Sequence, residues 1–199
     1  MSSERGKRML RKISFVVFLI GILVWTLTVP TKVPFLTLLA ILIHESGHLL
    51  SAVLLGIKPN GVYADTFGIR LLFRGQILSY RKEILLCAAG PFFNLLSVGI
   101  GLLCGLPKDS FFLSVSTAFA ILNLMPVQGF DGGRICFCLL AHFGNAAIAC
   151  RITDFLSFLF LFALWSVSIY LILRTGNSLS LFFFSTAIFF RIFLQKNSP

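Results

Sequence analysis

Residues 34–56 read PFLTLLAILIHESGHLLSAVLLG, and the reading of this stretch decides the fold. It is an apolar run of the roughly 17–25 residues that a helix needs to cross a bilayer. His44, Glu45 and His48 stand inside it. Ionisable side chains within a membrane span are rare and by default mark function. The pattern His44-Glu45-x-x-His48 also places two imidazoles one helical turn apart on one face, where both can reach a single ion.

The rest of the composition agrees with a membrane setting. The chain has 199 residues, 57% of them hydrophobic and only 12% charged, against about 25% charged in an average soluble domain. Mean hydropathy is +0.95. These values predict an α-helical polytopic membrane protein forming a single membrane-embedded domain over 1–199. About six spans are expected, near 13–30, 34–56, 83–106, 110–142 (interrupted), 152–173 and 178–194. The run from Ile13 to Val29 follows Arg5, Lys7, Arg8, Arg11 and Lys12, as in a signal peptide. It is too long for a signal-peptide core and has no clear small-residue cleavage site, so it reads as an uncleaved first span.

A net charge of +10 invites a nucleic-acid reading, but positive-inside topology accounts for it more simply. With the N-terminus in the cytoplasm, 3 of the 17 basic residues fall outside, namely Lys32, Lys108 and Arg174. That asymmetry predicts a multi-pass protein of a cell membrane, a bacterial inner or plasma membrane, with both termini cytoplasmic. Its surroundings are then the lipid bilayer and not nucleic acid. The cysteines Cys87, Cys104, Cys136, Cys138 and Cys150 are odd in number, show no C-x-x-C and sit in or beside apolar runs. They read as small buried hydrophobes. Cys136 and Cys138 would face opposite ways on a helix, which argues against a shared metal.

Two segments depart from simple spans. The fourth is too long for one crossing, and its middle, NLMPVQGFDGG at 123–133, holds a proline, three glycines and an aspartate. Broken backbone at membrane depth survives only when buried in protein or lining a wet cavity. The expectation is a helix, an irregular loop, then a second helical piece. The other segment, about 57–80, is punctuated by Lys58-Pro59-Asn60-Gly61 and then shows β-type runs such as GIRLLFR at 68–74. It reads as one or two short β-hairpins at the cytoplasmic surface.

Imidazole suits Zn²⁺, and zinc lowers the pKa of a bound water to around 7. Glu45 follows His44 directly, so it projects beside an ion rather than onto it. A base that takes a proton from water must stand in that position. A catalytic zinc usually has three protein ligands. The other acidic residues are Glu4, Asp65, Glu83, Asp109, Asp131 and Asp154. Glu4, Asp65, Glu83 and Asp109 read as loop or span-edge residues, and Asp154 as the start of span five. Only Asp131 lies in an interrupted membrane segment. Spans two and four run the same way, so Asp131 reaches a similar depth to the histidines, and it is the expected third ligand. His142 ends a span without a partner pattern and reads as interfacial.

The set resembles the site-2 protease family of intramembrane zinc metalloproteases. Three pieces appear in that family's order: His44-Glu45-x-Gly47-His48, then Ala89-Gly90-Pro91-x-x-Asn94, then Asn123-Leu124-Met125-Pro126 followed by Asp131-Gly132-Gly133. The flanking spans resemble the six-span branch that includes the sporulation-factor-processing proteases. That branch's C-terminal CBS domain, of a nucleotide-binding type, and the PDZ-like insert of other members are both expected to be missing. A proline-rich turn common before the aspartate is replaced by Val127-Gln128-Gly129-Phe130.

The resemblance implies a three-helix catalytic core (spans two to four, about 34–142). His44, His48 and Asp131 would bind Zn²⁺, with Glu45 as catalytic acid and base. Asn123 and Asn94 would hold substrate or intermediate, and Gly90, Pro91 and Gly132 would be structural. Asn94 also reads as an amide that joins helices. The implied activity is zinc-dependent endopeptidase cleavage within or next to transmembrane segments of a membrane-protein substrate, with room for a membrane-embedded regulator. The alternatives from the same residues are a membrane metal carrier, which would not need Glu45, and a catalytically inactive substrate-binding relative.

Overall fold

The structure, a computed structural model, describes residues 32–57, 61–65, 68–72, 79–175, 182–183 and 185–189. The expected first span, 13–30, and most of the sixth lie outside the described residues. The main elements in chain order are α1 (Lys32–Leu54), β1 (Gly61–Asp65), β2 (Gly68–Leu72), α2 (Tyr80–Leu103), α3 (Phe111–Leu124), α4 (Asp131–Phe143) and α5 (Ala146–Thr175).

Helices α1, α2 and α5 are long and apolar enough to cross a membrane. The shortest, α1, has 23 residues, roughly 34 Å at 1.5 Å per residue, against a hydrocarbon core of about 30 Å. Its sides are inverted relative to a helix of a water-soluble protein. Leu38, Leu42, Leu49 and Val53 are exposed, while Ala40, His44, Gly47 and Ala52 are buried. Lipid is as apolar as leucine, so membrane helices bury small and polar residues and turn large aliphatic ones outward. The other helices repeat this, burying Asn94, Ser116, Thr153, Ser157 and Ser168.

Helix α5 begins six residues before the expected start of span five. Asn145 Oδ1 accepts the Ala147 N–H at 2.8 Å, and its carbonyl accepts the Ala149 N–H at 2.9 Å. An asparagine cap of this kind starts a helix whatever the hydropathy beyond it. The expected fourth span is broken at 125–130, with α3 before the break and α4 after it. Pro126 has no N–H to give and disfavours helical backbone at Met125. Chain direction is restored by short bonds, Val127 N to Met125 O at 2.7 Å and Phe130 N to Val127 O at 3.0 Å.

The chain divides into two compact units, one of residues 1–77 and 93–117, the other of 78–92 and 118–199. The first contains α1, the two strands, the second half of α2 and the start of α3. Its strands pair antiparallel with Val62 opposite Leu71 and Tyr63 opposite Arg70. In the same unit a side chain on Gly101 would meet Leu113 Cδ2 at 2.9 Å, so α2 and α3 pass closely there. The second unit contains the start of α2, the end of α3, α4 and α5. Its core is Val127, Leu161 and Ile188, with Met125, Phe130 and Phe160 packed against it.

Candidate metal centre

On α1, Ala40, His44 and Gly47 share one buried face, as residues four and three apart on a helix must. His48 is partly buried one turn further on. The two rings stand edge to face, 83° apart with centroids at 4.8 Å. Their Nε2 atoms are 3.2 Å from each other. Two nitrogens at 2.0–2.1 Å from one tetrahedral zinc are separated by about 3.3 Å. The spacing of the pair therefore fits two ligands of a single zinc ion. Glu45 is partly buried, about 100° around the helix from His44.

Asp131 is the first residue of α4. The N-terminal end of a helix carries a partial positive charge that is favourable for acidic side chains. The backbone at this point is crowded. A Cβ on Gly132 would stand 2.1 Å from the Leu124 carbonyl oxygen, and one on Gly133 would stand 2.2 Å from that of Val127. Only glycine lets the first turn of α4 lie this close to the end of α3 and to the break.

Two sets of polar contacts flank Asp131 in sequence. Before it, the Gln128 N–H donates to Ser157 Oγ at 2.8 Å, and the Gln128 side-chain amide donates to Asp154 Oδ1. After it, Arg134 Nε donates to Glu83 Oε1 at 2.9 Å, and Cys138 Sγ donates to Glu83 Oε2 at 3.1 Å. By sequence alone Glu83 is a loop or span-edge residue and Asp154 the start of a span, and neither position announces its partner. A signal for Glu83 was present, since a carboxylate on the first turn of an apolar helix calls for a partner.

His44 and His48 each offer an imidazole nitrogen, and Asp131 offers a carboxylate oxygen. Two imidazoles and a carboxylate form a donor set typical of catalytic zinc. No cysteine joins the set among the described residues. Asn94 lies within α2 with no solvent exposure, and neither polar atom of its amide has a hydrogen-bond partner. It does not act as the helix-joining amide that its position suggested. Asn123 Nδ2 bonds back to the Phe119 carbonyl of its own helix at 3.0 Å. Gly90 and Pro91 are buried inside α2. His142 is exposed at the end of α4, edge-on to Phe143 with ring centroids 4.9 Å apart.

No protein-family model matches the chain, and no curated protein matches it. Among solved structures it is similar to a "Site-2 Protease from Methanocaldococcus jannaschii", with a TM-score of 0.59 and 20% identity, over 89% of this chain and 85% of that one. The chain has the site-2 protease fold. The resemblance read from its motifs is to the same family. At this identity the site-2 protease likeness carries the backbone arrangement and not the chemistry. The reading of the chemistry rests on the side chains described above.

Proposed function

We propose that this chain is a zinc-dependent endopeptidase that cleaves peptide bonds within or next to transmembrane segments of membrane proteins. The observation that carries this reading is the His44–His48 pair, spaced for one zinc, with a glutamate between them on a membrane-capable helix. His44, His48 and Asp131 would hold the ion, as the motif resemblance implies. Once bound, zinc supplies Lewis acidity that polarises the scissile carbonyl and makes water acidic enough to be deprotonated near neutral pH.

The remaining work falls to the chain. Glu45 takes a proton from the attacking water and returns it to the leaving amine nitrogen. Asn94 and Asn123 offer amide donors and acceptors to a substrate backbone that has left helical geometry. A helical amide is shielded, so the substrate must unwind locally before attack. The distribution of basic residues supports a topology with both termini in the cytoplasm, and a membrane-embedded partner can regulate access.

The test is Glu45→Gln in purified full-length protein, assayed on a transmembrane model substrate. The variant retains zinc and loses on the order of 10²–10⁴-fold in turnover, the usual contribution of a general acid–base group. Unchanged turnover would refute the mechanism. A metal carrier with the same ligands would transport equally well with glutamine there.

A further inference from the structure

We infer that Asp131 is set in place by two tethers outside the ligand set, Glu83 of α2 and the Asp154–Ser157 pair of α5, which act as positioning residues for the metal. The inference rests on the reading of Asp131 as a zinc ligand.

The first argument is helical phase. Asp131, Arg134 and Cys138 are at i, i+3 and i+7 on α4, so they share one face. Glu83 engages both Arg134 and Cys138. One carboxylate oxygen accepts from Arg134 Nε and Nη2, and the other accepts from Cys138 Sγ. Glu83 thus binds the same face of α4 that carries Asp131, and it does so over about one turn. Contacts at two heights resist rotation of the helix about its axis, and rotation is the motion that would carry the Asp131 carboxylate sideways. The fork of an arginine on a carboxylate fixes orientation as well as distance. Glu83 is mostly buried, whereas Arg134 is exposed.

The second argument concerns the chain that enters α4. The helix has no side-chain cap, since its N-cap position is Phe130. The break at 125–130 could therefore slide without an external hold. Gln128, three residues before Asp131, provides that hold twice. Its N–H is fixed by Ser157, and its amide is fixed by Asp154. Ser157 is itself buried and also bonds to the Thr153 carbonyl at 2.7 Å. Asp154 and Ser157 are i and i+3 on α5, so one face of that helix engages one residue of the break. Asp131 is thereby held from three residues before and three residues after, on two different helices. A ligand on an irregular segment needs such support, because ligand position within a fraction of an ångström governs metal affinity.

Full-length protein in detergent decides the question, with two readouts that do not need turnover. One is the rate of zinc loss to a chelator, and the other is the visible absorption of the Co²⁺-substituted protein, which reports ligand geometry. Glu83→Ala and Asp154→Leu are expected to speed zinc loss on the order of tenfold, the lower end of what ligand-supporting groups contribute, and to shift the Co²⁺ bands. Glu83→Gln, whose amide oxygen can still accept from Arg134, recovers most of the wild-type rate. Should Glu83→Ala fail to fold, the reversed pair Glu83→Arg with Arg134→Glu decides instead, and a wild-type rate and spectrum in the pair supports the tether. Zinc loss within twofold of wild type, with unshifted bands, in folded Glu83→Ala or in both single reversals would overturn it. Asp131→Ala separates the two levels of the argument. If it leaves zinc loss and spectrum unchanged, the ligand assignment fails. If it releases zinc while Glu83→Ala does not, the tether alone fails.

Discussion

The Nε2 atoms of His44 and His48 face each other across 3.2 Å on consecutive turns of α1. A neutral imidazole offers one donor and one acceptor, so the pair can share a single proton without metal, or turn both lone pairs to one ion. If both ligate zinc as proposed, replacing either with alanine removes a ligand outright. Zinc affinity of His44→Ala is expected to fall by more than the roughly 10–100-fold seen when a mere supporting group is lost. Metal analysis of the purified variant after dialysis against a competing chelator measures this, and full retention of zinc would refute the assignment.

Gly132 and Gly99 provide a matched pair within the helices. A methyl on Gly132 meets backbone carbonyls, whereas a methyl on Gly99 has nothing within 4 Å. Gly132→Ala should therefore lower stability by about 1–3 kcal/mol through overpacking and should weaken zinc binding, because the first turn of α4 moves with it. Gly99→Ala should be neutral or stabilising by up to about 1 kcal/mol. Thermal unfolding in detergent, followed by intrinsic fluorescence, compares the two. Equal melting temperatures would show that the close approach at Gly132 is not a constraint.

Asn94 is buried with both amide atoms unpaired. A polar group left so is destabilising, and replacement by an apolar residue of similar shape is neutral or better. Asn94→Leu should unfold at an equal or higher temperature and still lose on the order of tenfold in kcat/KM, roughly the value of one hydrogen bond made to substrate. A stable, fully active Asn94→Leu would mean that the amide does not touch substrate.

The antiparallel strands Gly61–Asp65 and Gly68–Leu72 form a two-stranded sheet among the described residues. A two-stranded pair has free edges, and an unwound substrate segment can add to one by main-chain hydrogen bonds. Removing residues 61–74 should then raise KM for a transmembrane substrate while zinc content stays at the wild-type level. Full cleavage at unchanged KM would exclude docking at this sheet.

The second and third expected spans and the spacing of the histidine pair were legible because each depends on local pattern. Apolar length sets α1 and α2 to within a few residues, and the four-residue spacing of His44 and His48 becomes proximity on any helix. Pro126 and the glycines after it marked the break before Asp131. The early start of α5 was missed because one asparagine, Asn145, outweighs a hydropathy window. Asn94 reads equally as a substrate-holding amide and as one that joins helices, and among the described residues its amide makes no hydrogen bond to another helix.

Glu83 and Arg134 lie 51 residues apart, and Gln128 and Asp154 lie 26 apart. No local period connects such pairs. Their partnership exists only once the helices have packed, because a charge on an apolar helix takes whichever partner the fold brings within reach. By itself the sequence determined which residues could ligate and at which helical spacing, since bond lengths and the 3.6-residue turn fix those. Only the tertiary structure decided which residues hold the break and α4 in place, because that depends on where separate helices meet.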